Sequence, residues 1–144
     1  MEYTLAKRED LLKIIKLYDQ LVSSNEKISM DKINKVWDSI EKNNIKYFLA
    51  KENNEVIGTC YIAIIPNLTR TGQSIGYVEN VIIDEKHRKK GIGRKLMEMA
   101  INYAKEENCY KVVLQSRMDR KEAHKFYESI GFSGNSKKAF ELRF

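Results

Sequence analysis

A chain of 144 residues, 42% hydrophobic and 32% charged, is long enough to bury one core and has the balance of a soluble globular domain. No apolar run approaches the roughly 18 residues of a membrane span, and the polar N-terminus predicts no signal peptide. The net charge of +6 allows nucleic-acid binding, but acidic residues are spread throughout and the dense basic cluster is confined to His87–Arg94, without interleaved exposed aromatics, so the expectation is no nucleic-acid partner. Cys60 and Cys109 fall in predicted strands and read as buried free thiols of a cytoplasmic protein.

In chain order, Glu2 to Ala6 is a short predicted strand. Glu9 and Asp10 suit the first turn of a helix with Leu11, Ile14, Ile15, Tyr18 and Val22 on its apolar face, broken by Ser23-Ser24-Asn25. Ser29 is placed to cap a second helix carrying Ile33, Val36, Trp37 and Ile40 on one side. Lys46 to Lys51 is a strand, turned back at Asn53-Asn54 into a longer one from Val56 to Ile65 that Pro66 ends. A loop from Asn67 to Gln73 precedes the β-branched and aromatic run Ser74–Asp84, a strand. Ile92, Leu96, Met99, Ala100 and Tyr103 then recur at helical spacing. Tyr110 to Gln115 is a strand whose Val112, Val113 and Leu114 look buried on both faces. Asp119 and Glu122 form a capping box for a last helix with Ala123, Phe126, Tyr127 and Ile130, stopped by Gly131. Phe132 and the alternating Phe140, Leu142 and Phe144 predict a closing hairpin. No repeat, linker or low-complexity stretch appears, so residues 1–144 read as a single mixed α/β domain with antiparallel and parallel pairing.

The functional signal sits between the strand ending at Asp84 and the helix beginning near Ile92. Arg88-Lys89-Lys90-Gly91-Ile92-Gly93-Arg94 is a basic turn with two glycines that feeds a helix N-terminus. Free backbone N–H groups and the positive dipole end then point outward together, which makes an anion site. The glycines let a ligand approach the backbone without a Cβ in the way. A Walker loop is absent, because no Gly-x-x-x-x-Gly-Lys-Ser/Thr run occurs. A Rossmann turn is excluded as well: Leu96 stands where its third glycine belongs, and the strand ends several residues too early.

Arg88-Lys89-Lys90-Gly91-Ile92-Gly93 resembles the Arg/Gln-x-x-Gly-x-Gly/Ala signature of the GNAT superfamily of N-acetyltransferases. Ala123-His124-Lys125-Phe126-Tyr127-Glu128-Ser129-Ile130-Gly131-Phe132 looks like the second landmark of that family, Ala-x-x-x-Tyr-x-x-x-Gly-Phe. Both stand in the family's order, with one helix and one strand between them. The resemblance implies a GNAT-like mixed sheet of about six to seven strands, antiparallel at the start with a splayed parallel pair, flanked by about four helices. It implies acetyl-coenzyme A as co-substrate, its pantetheine arm along Val81, Ile82 and Ile83 and its pyrophosphate on Arg88, Lys89, Lys90, Gly91, Ile92, Gly93 and Arg94. The acceptor is a small-molecule or peptide amine, and homodimers are common in the family.

For the chemistry, Tyr127 is the candidate acid for the departing sulfur, and packing on its apolar helix face is the other reading. Glu79 is the candidate base, or else an anchor for substrate. A backbone N–H near Val81 or Ile82 suits the oxyanion. Tyr77 shares a strand face with Glu79 and either contacts substrate or packs. Where many family members carry asparagine ahead of the tyrosine, this chain has Arg120. Arg70, Arg117 and Arg120 hint at an acidic group on the acceptor. His87 and His124 have no metal-ligand spacing, so no metal is expected. The rival reading is a non-catalytic sensor that binds coenzyme A for regulation.

Overall fold

Three antiparallel pairings and one parallel pairing build the sheet. The computed structural model describes residues 1–22 and 27–144, so the predicted break at Ser23-Ser24-Asn25 lies outside the described residues. The elements run β1 (Glu2–Leu5), α1 (Leu11–Tyr18), α2 (Met30–Lys42), β2 (Ile45–Glu52), β3 (Glu55–Ile65), β4 (Ser74–Ile83), α3 (Ile92–Glu106), β5 (Cys109–Leu114) and α4 (Lys121–Ser129). The sheet order is β1-β2-β3-β4-β5, with β1 to β4 antiparallel to their neighbours and β5 returning parallel to β4 after α3. The chain divides into two compact units, Met1–Val113 and Leu114–Phe144. Among the described residues no helix is long and apolar enough to cross a membrane.

Alternation along the strands sorts the core of the first unit onto two faces. Leu49 of β2 and Ile82 of β4 pack with Ile14 and Leu17 of α1, against which Tyr18 and Tyr47 also lie. On the opposite face Cys60 donates its thiol to the Leu96 carbonyl (3.7 Å), and Phe48 meets Tyr103 edge-on. Ile92, Leu96, Met97, Ala100 and Ala104, the apolar stripe of α3, are all buried there. Gly58 is what lets α3 sit so close. A Cβ at that position would stand 2.8 Å from Ile83 Cδ1 and 3.2 Å from both Ile92 Cγ2 and Leu96 Cδ1. Burial pushes the Cys60 thiol up to about 12, so it stays a neutral core group, whereas Cys109 is only half-buried.

Local sequence chemistry explains most boundaries. Ser29 caps α2 as expected, its hydroxyl accepting from the Lys32 amide (3.3 Å). Asp10 departs from its predicted role. It lies in a 3-10 turn ahead of α1, is fully buried, and its carboxylate accepts from the Lys7 amide (2.9 Å) and pairs with Lys51 (2.6 Å). Burial alone would raise its proton affinity; the Lys51 and Lys7 hydrogen bonds outweigh that and hold the carboxyl below its usual value.

In the second unit, Gly131 ends α4 as expected. It adopts φ +99, and the amides of Gly131 and Phe132 return to the carbonyls of Glu128 and Tyr127. Two expectations there fail. The residue ahead of α4 is Arg120 without a side-chain cap, because the Asp119 carboxylate is taken by Arg117 (2.6 Å). The closing hairpin does not form: β5 is the last strand among the described residues, so the sheet has five strands rather than six to seven. As an end strand of the sheet, β5 leaves Val112, Val113 and Leu114 half-buried instead of covered on both faces.

Candidate active site

β4 carries an interruption at the position that matters most. Its register against β3 runs Tyr77 opposite Ala63 and Glu79 opposite Tyr61, then resumes with Ile82 opposite Thr59. Asn80 and Val81 therefore face the single residue Cys60, which is a β-bulge. Asn80 makes it possible with φ +51, a left-handed backbone that asparagine tolerates better than the β-branched residues around it. The bulge re-aims the strand so that Glu79 and Ile82 share the α1 face, and it breaks the ladder at the backbone of Asn80 and Val81. Sequence reasoning missed Asn80. Its signal was present, since asparagine is depleted in strand interiors yet stands here in a β-branched run.

Glu79 ends a row of side chains that crosses three strands. Tyr47, Tyr61 and Glu79 are directly opposite one another on β2, β3 and β4. The Tyr47 and Tyr61 rings stack at 4.8 Å, and Trp37 of α2 meets Tyr47 edge-on at 6.1 Å. Burial first, then Tyr61, pushes the Tyr47 hydroxyl up to about 12. Burial, the Glu79 charge and Tyr77 raise that of Tyr61. Tyr18 of α1 is raised as well, chiefly by burial, and its hydroxyl is buried with Asn80 and Tyr47 close enough to act on it but no hydrogen bond completed. Glu79 thus faces protonated tyrosines at neutral pH. An aromatic wall with a carboxylate at its end suits an amine: the carboxylate takes the polar head, and the ring faces take the cation or its carbon skeleton.

Beyond β4 the chain makes the predicted anion turn. Residues Glu85–His87 form a 3-10 turn, Lys89 has φ +61, and Gly91 has φ +79 and caps α3 without a side-chain oxygen. A Cβ at Gly91 would meet nothing within 4 Å, so the backbone there lies open. The first intrahelical bond runs from the Lys95 amide to the Gly91 carbonyl (3.1 Å), and the amides of the first turn precede it. Arg88, Lys89, Lys90 and Arg94 are exposed around this turn, with the Arg88 Nε donating to the Ile83 carbonyl (3.2 Å). Two left-handed residues, Lys89 and Gly91, at the N-terminus of a 15-residue helix make a turn of the kind that binds anions through backbone N–H groups.

Asp84 fastens this turn to the rest of the first unit. Its carboxylate accepts from Gln20 Nε2 (2.8 Å) and the Lys86 amide (3.0 Å) and contacts His87 Nδ1 (2.8 Å). His87 Nε2 in turn faces Glu52 (3.1 Å), and the Gln20 side-chain oxygen accepts from the Glu85 amide (3.2 Å). The Gln20 hydrogen bond first, then His87, holds the Asp84 carboxyl at about 2. A carboxyl lowered on folding contributes stability above its ordinary range, and that stability fades as pH falls through the folded value. The melting temperature of Asp84→Asn is therefore expected to lie several degrees below wild type at pH 7, by about 2–4 °C per kcal/mol lost in a chain of this length. That gap should narrow below pH ~4 and close near pH ~2. Thermal melts across that range check it; a gap constant with pH would remove any role for the charge.

Arg70 lies at a left-handed position with its guanidinium over the Tyr110 ring at 5.5 Å. Within the second unit, Arg117 pairs with Asp119, Arg120 precedes α4, and the Arg117 carbonyl contacts His124 Nε2 (2.8 Å). The half-buried Tyr127 ring lies 5.2 Å from Phe126 and 6.1 Å from Phe132. The structure thus brings Tyr77, Glu79, Val81, Ile82, Ile83 and the 88–94 turn onto one continuous strand, turn and helix. No group of three or more His, Cys, Asp or Glu among the described residues is placed to hold a metal.

A bulged strand thus runs through an open glycine turn into a helix N-terminus. The chain belongs to the acetyltransferase (GNAT) family, whose sequence profile matches residues 11–132. A solved structure of a putative acetyltransferase from Agrobacterium tumefaciens superposes with a TM-score of 0.92 at 32% identity, covering 100% of both chains. Among curated relatives, glucosamine 6-phosphate N-acetyltransferase of Trypanosoma brucei brucei is 29% identical over 64% of this chain. N-alpha-acetyltransferase 30 of Xenopus laevis is 36% identical over 59% of it. The chain spans 60% and 30% of the lengths of those two relatives.

Proposed function

We propose that this protein transfers the acetyl group of acetyl-coenzyme A to a primary amine by direct attack on the thioester. The observation that carries the reading is the continuity of Glu79 and the Asn80–Val81 bulge beside it with the open Gly91 turn on a single strand–turn–helix run. The turn fits a pyrophosphate: its backbone is uncovered, two of its residues are left-handed, and its rim is basic. Gly91, Ile92, Gly93 and Arg94 would hold the phosphates through backbone N–H groups, with Arg88, Lys89 and Lys90 adding charge. Val81, Ile82 and Ile83, at the bulge and beyond it, would offer backbone groups to the amides of the pantetheine arm, in the splay from β5 that the family resemblance implies.

The cofactor supplies an activated acetyl group on a thiol leaving group. Glu79 takes the proton of the incoming ammonium, directly or through water, and Tyr61 and Tyr77 line the acceptor's approach. The N–H of Val81 or Ile82 stabilises charge on the acetyl oxygen. Tyr127, at the family's tyrosine position, gives its hydroxyl proton to the departing sulfur. One relative's name gives glucosamine 6-phosphate as its acceptor and another's an N-alpha position, which supports a small-molecule or peptide amine as the acceptor. Arg117 and Arg120 are the proposed contacts for an acidic group on it.

The test is a panel of sugar, polyamine, amino-acid and peptide amines, read by thiol release from acetyl-coenzyme A. Tyr127→Phe removes one oxygen and keeps the ring against Phe126 and Phe132. On the best amine it is expected to lower turnover by roughly ten- to a thousandfold, with melting temperature and cofactor affinity near wild type. Full activity in Tyr127→Phe would show that the thiolate leaves unaided. Tight cofactor binding without turnover of any amine would make the protein a coenzyme A sensor instead.

A further inference from the structure

We propose that Gln20 is a positioning residue for the cofactor turn: its carboxamide, just past the end of α1, holds the segment 84–91 in the shape that receives the pyrophosphate. The inference rests on the reaction proposed above. Packing does little to fix this segment. Asp84 and His87 are half-buried, whereas Glu85, Lys86, Arg88, Lys89, Lys90 and Gly91 are exposed. Its shape is also not one the chain adopts freely, since Lys89 sits in the left-handed region with φ +61. A non-glycine residue there costs roughly 1 kcal/mol or more and persists where its surroundings enforce it.

Gln20 supplies that enforcement with both ends of its carboxamide. Nε2 donates to Asp84 Oδ2 (2.8 Å), and Oε1 accepts from the Glu85 amide (3.2 Å). An ionised carboxylate can only accept and a backbone amide can only donate, so the two partners match the two ends of one glutamine. Asp84 divides its own oxygens in the same way. Oδ2 faces α1 through Gln20, while Oδ1 faces inward to the Lys86 amide (3.0 Å) and His87 Nδ1 (2.8 Å). Gln20 is itself well founded. Its amide donates to the Leu17 carbonyl (3.1 Å), the next two amides return to the Tyr18 carbonyl, and Leu17 is part of the core. The Gln20 side chain is exposed and adds nothing to that core. What it does is tie an exposed turn to a buried helix. A cradle of backbone N–H groups binds better when it is held in shape before its ligand arrives, because the ligand then spends none of its binding energy on ordering it.

The experiment is calorimetric titration of coenzyme A into the full chain and its variants, each below its melting transition so that folded protein is read. Gln20→Ala removes both bonds and is expected to weaken coenzyme A by about tenfold. Gln20→Glu keeps an acceptor for the Glu85 amide but sets a carboxylate against Asp84 Oδ2, and should weaken it at least as much. Adding Asp84→Asn to Gln20→Glu reverses the direction of the bond. The new carboxamide keeps its oxygen for the Lys86 amide and His87 and donates through its nitrogen to the new carboxylate. The double variant should return to within about threefold of wild type, a recovery that two independent losses of stability do not give. On the best amine, KM for acetyl-coenzyme A should follow these affinities while kcat and the KM for amine stay near wild type. Wild-type affinity in Gln20→Ala and Gln20→Glu, or a double variant no better than Gln20→Glu, would overturn the inference and leave the proposed reaction standing. A wild-type protein that binds no coenzyme A would overturn the proposed reaction itself, and this inference with it.

Discussion

Gly91→Asp and Gly93→Asp are each expected to abolish acetyl-coenzyme A binding, a loss of at least about a hundredfold in affinity, while the protein remains folded. The turn offers backbone N–H groups where a Cβ at Gly91 would meet open space. An aspartate there fills that space with bulk and with the wrong sign of charge. The same carboxylate is welcome to the helix itself, since an acidic group at an N-terminus stabilises the dipole by about 0.3–1 kcal/mol. Against this stands the left-handed backbone at Gly91, φ +79, which costs a non-glycine residue about 1 kcal/mol. The two effects nearly cancel, so a binding defect is separable from a folding defect. Lys89→Ala should change affinity only a few-fold, because an exposed ammonium contributes a screened charge and its backbone amide remains. Calorimetric titration checks all three variants; wild-type affinity in both glycine variants would remove the cradle.

Glu79→Gln is expected to lower turnover by about a hundredfold or more with cofactor affinity intact. Glutamine keeps the shape of the side chain beside Tyr61 and so preserves the aromatic row, while losing the ability to accept a proton. Since primary amines titrate between about pH 8 for α-amines and about 10 for lysine-like ones, the fraction of free amine rises with pH across that range and the need for a base declines. The ratio of wild-type to variant rates should therefore fall as pH rises from 7 to about 10. Steady-state rates across that range check it. A variant with wild-type turnover at neutral pH would make Glu79 a substrate contact, and a constant ratio would assign the loss to geometry rather than proton transfer.

Much of this site was legible in the residues because its determinants are local. The strand Ser74–Ile83, the turn with Gly91 and the helix from Ile92 follow from β-branched composition, glycine and helical periodicity, each set by neighbours in sequence. The glycine stop after α4 is legible for the same reason. What stayed hidden depends on partners far along the chain. The Asn80 bulge exists only against Cys60, and the tyrosine row appears once β2, β3 and β4 take their register. Gln20 reaches Asp84 across 64 positions, which no local pattern announces. The capping box at Asp119 was a correct local option that lost to Arg117, a competing ion pair. The hairpin expected from Phe140, Leu142 and Phe144 rested on alternation alone, and no strand forms there among the described residues.

The most direct test of the central claim is to incubate the protein with isotope-labelled acetyl-coenzyme A and the best amine of the panel, and to weigh both amine and intact protein by mass spectrometry. Direct transfer predicts one labelled acetyl group on the amine and none on the protein, with thiol released in equal amount. Label that accumulates on the protein, or cofactor bound without any labelled amine across the panel, would contradict it.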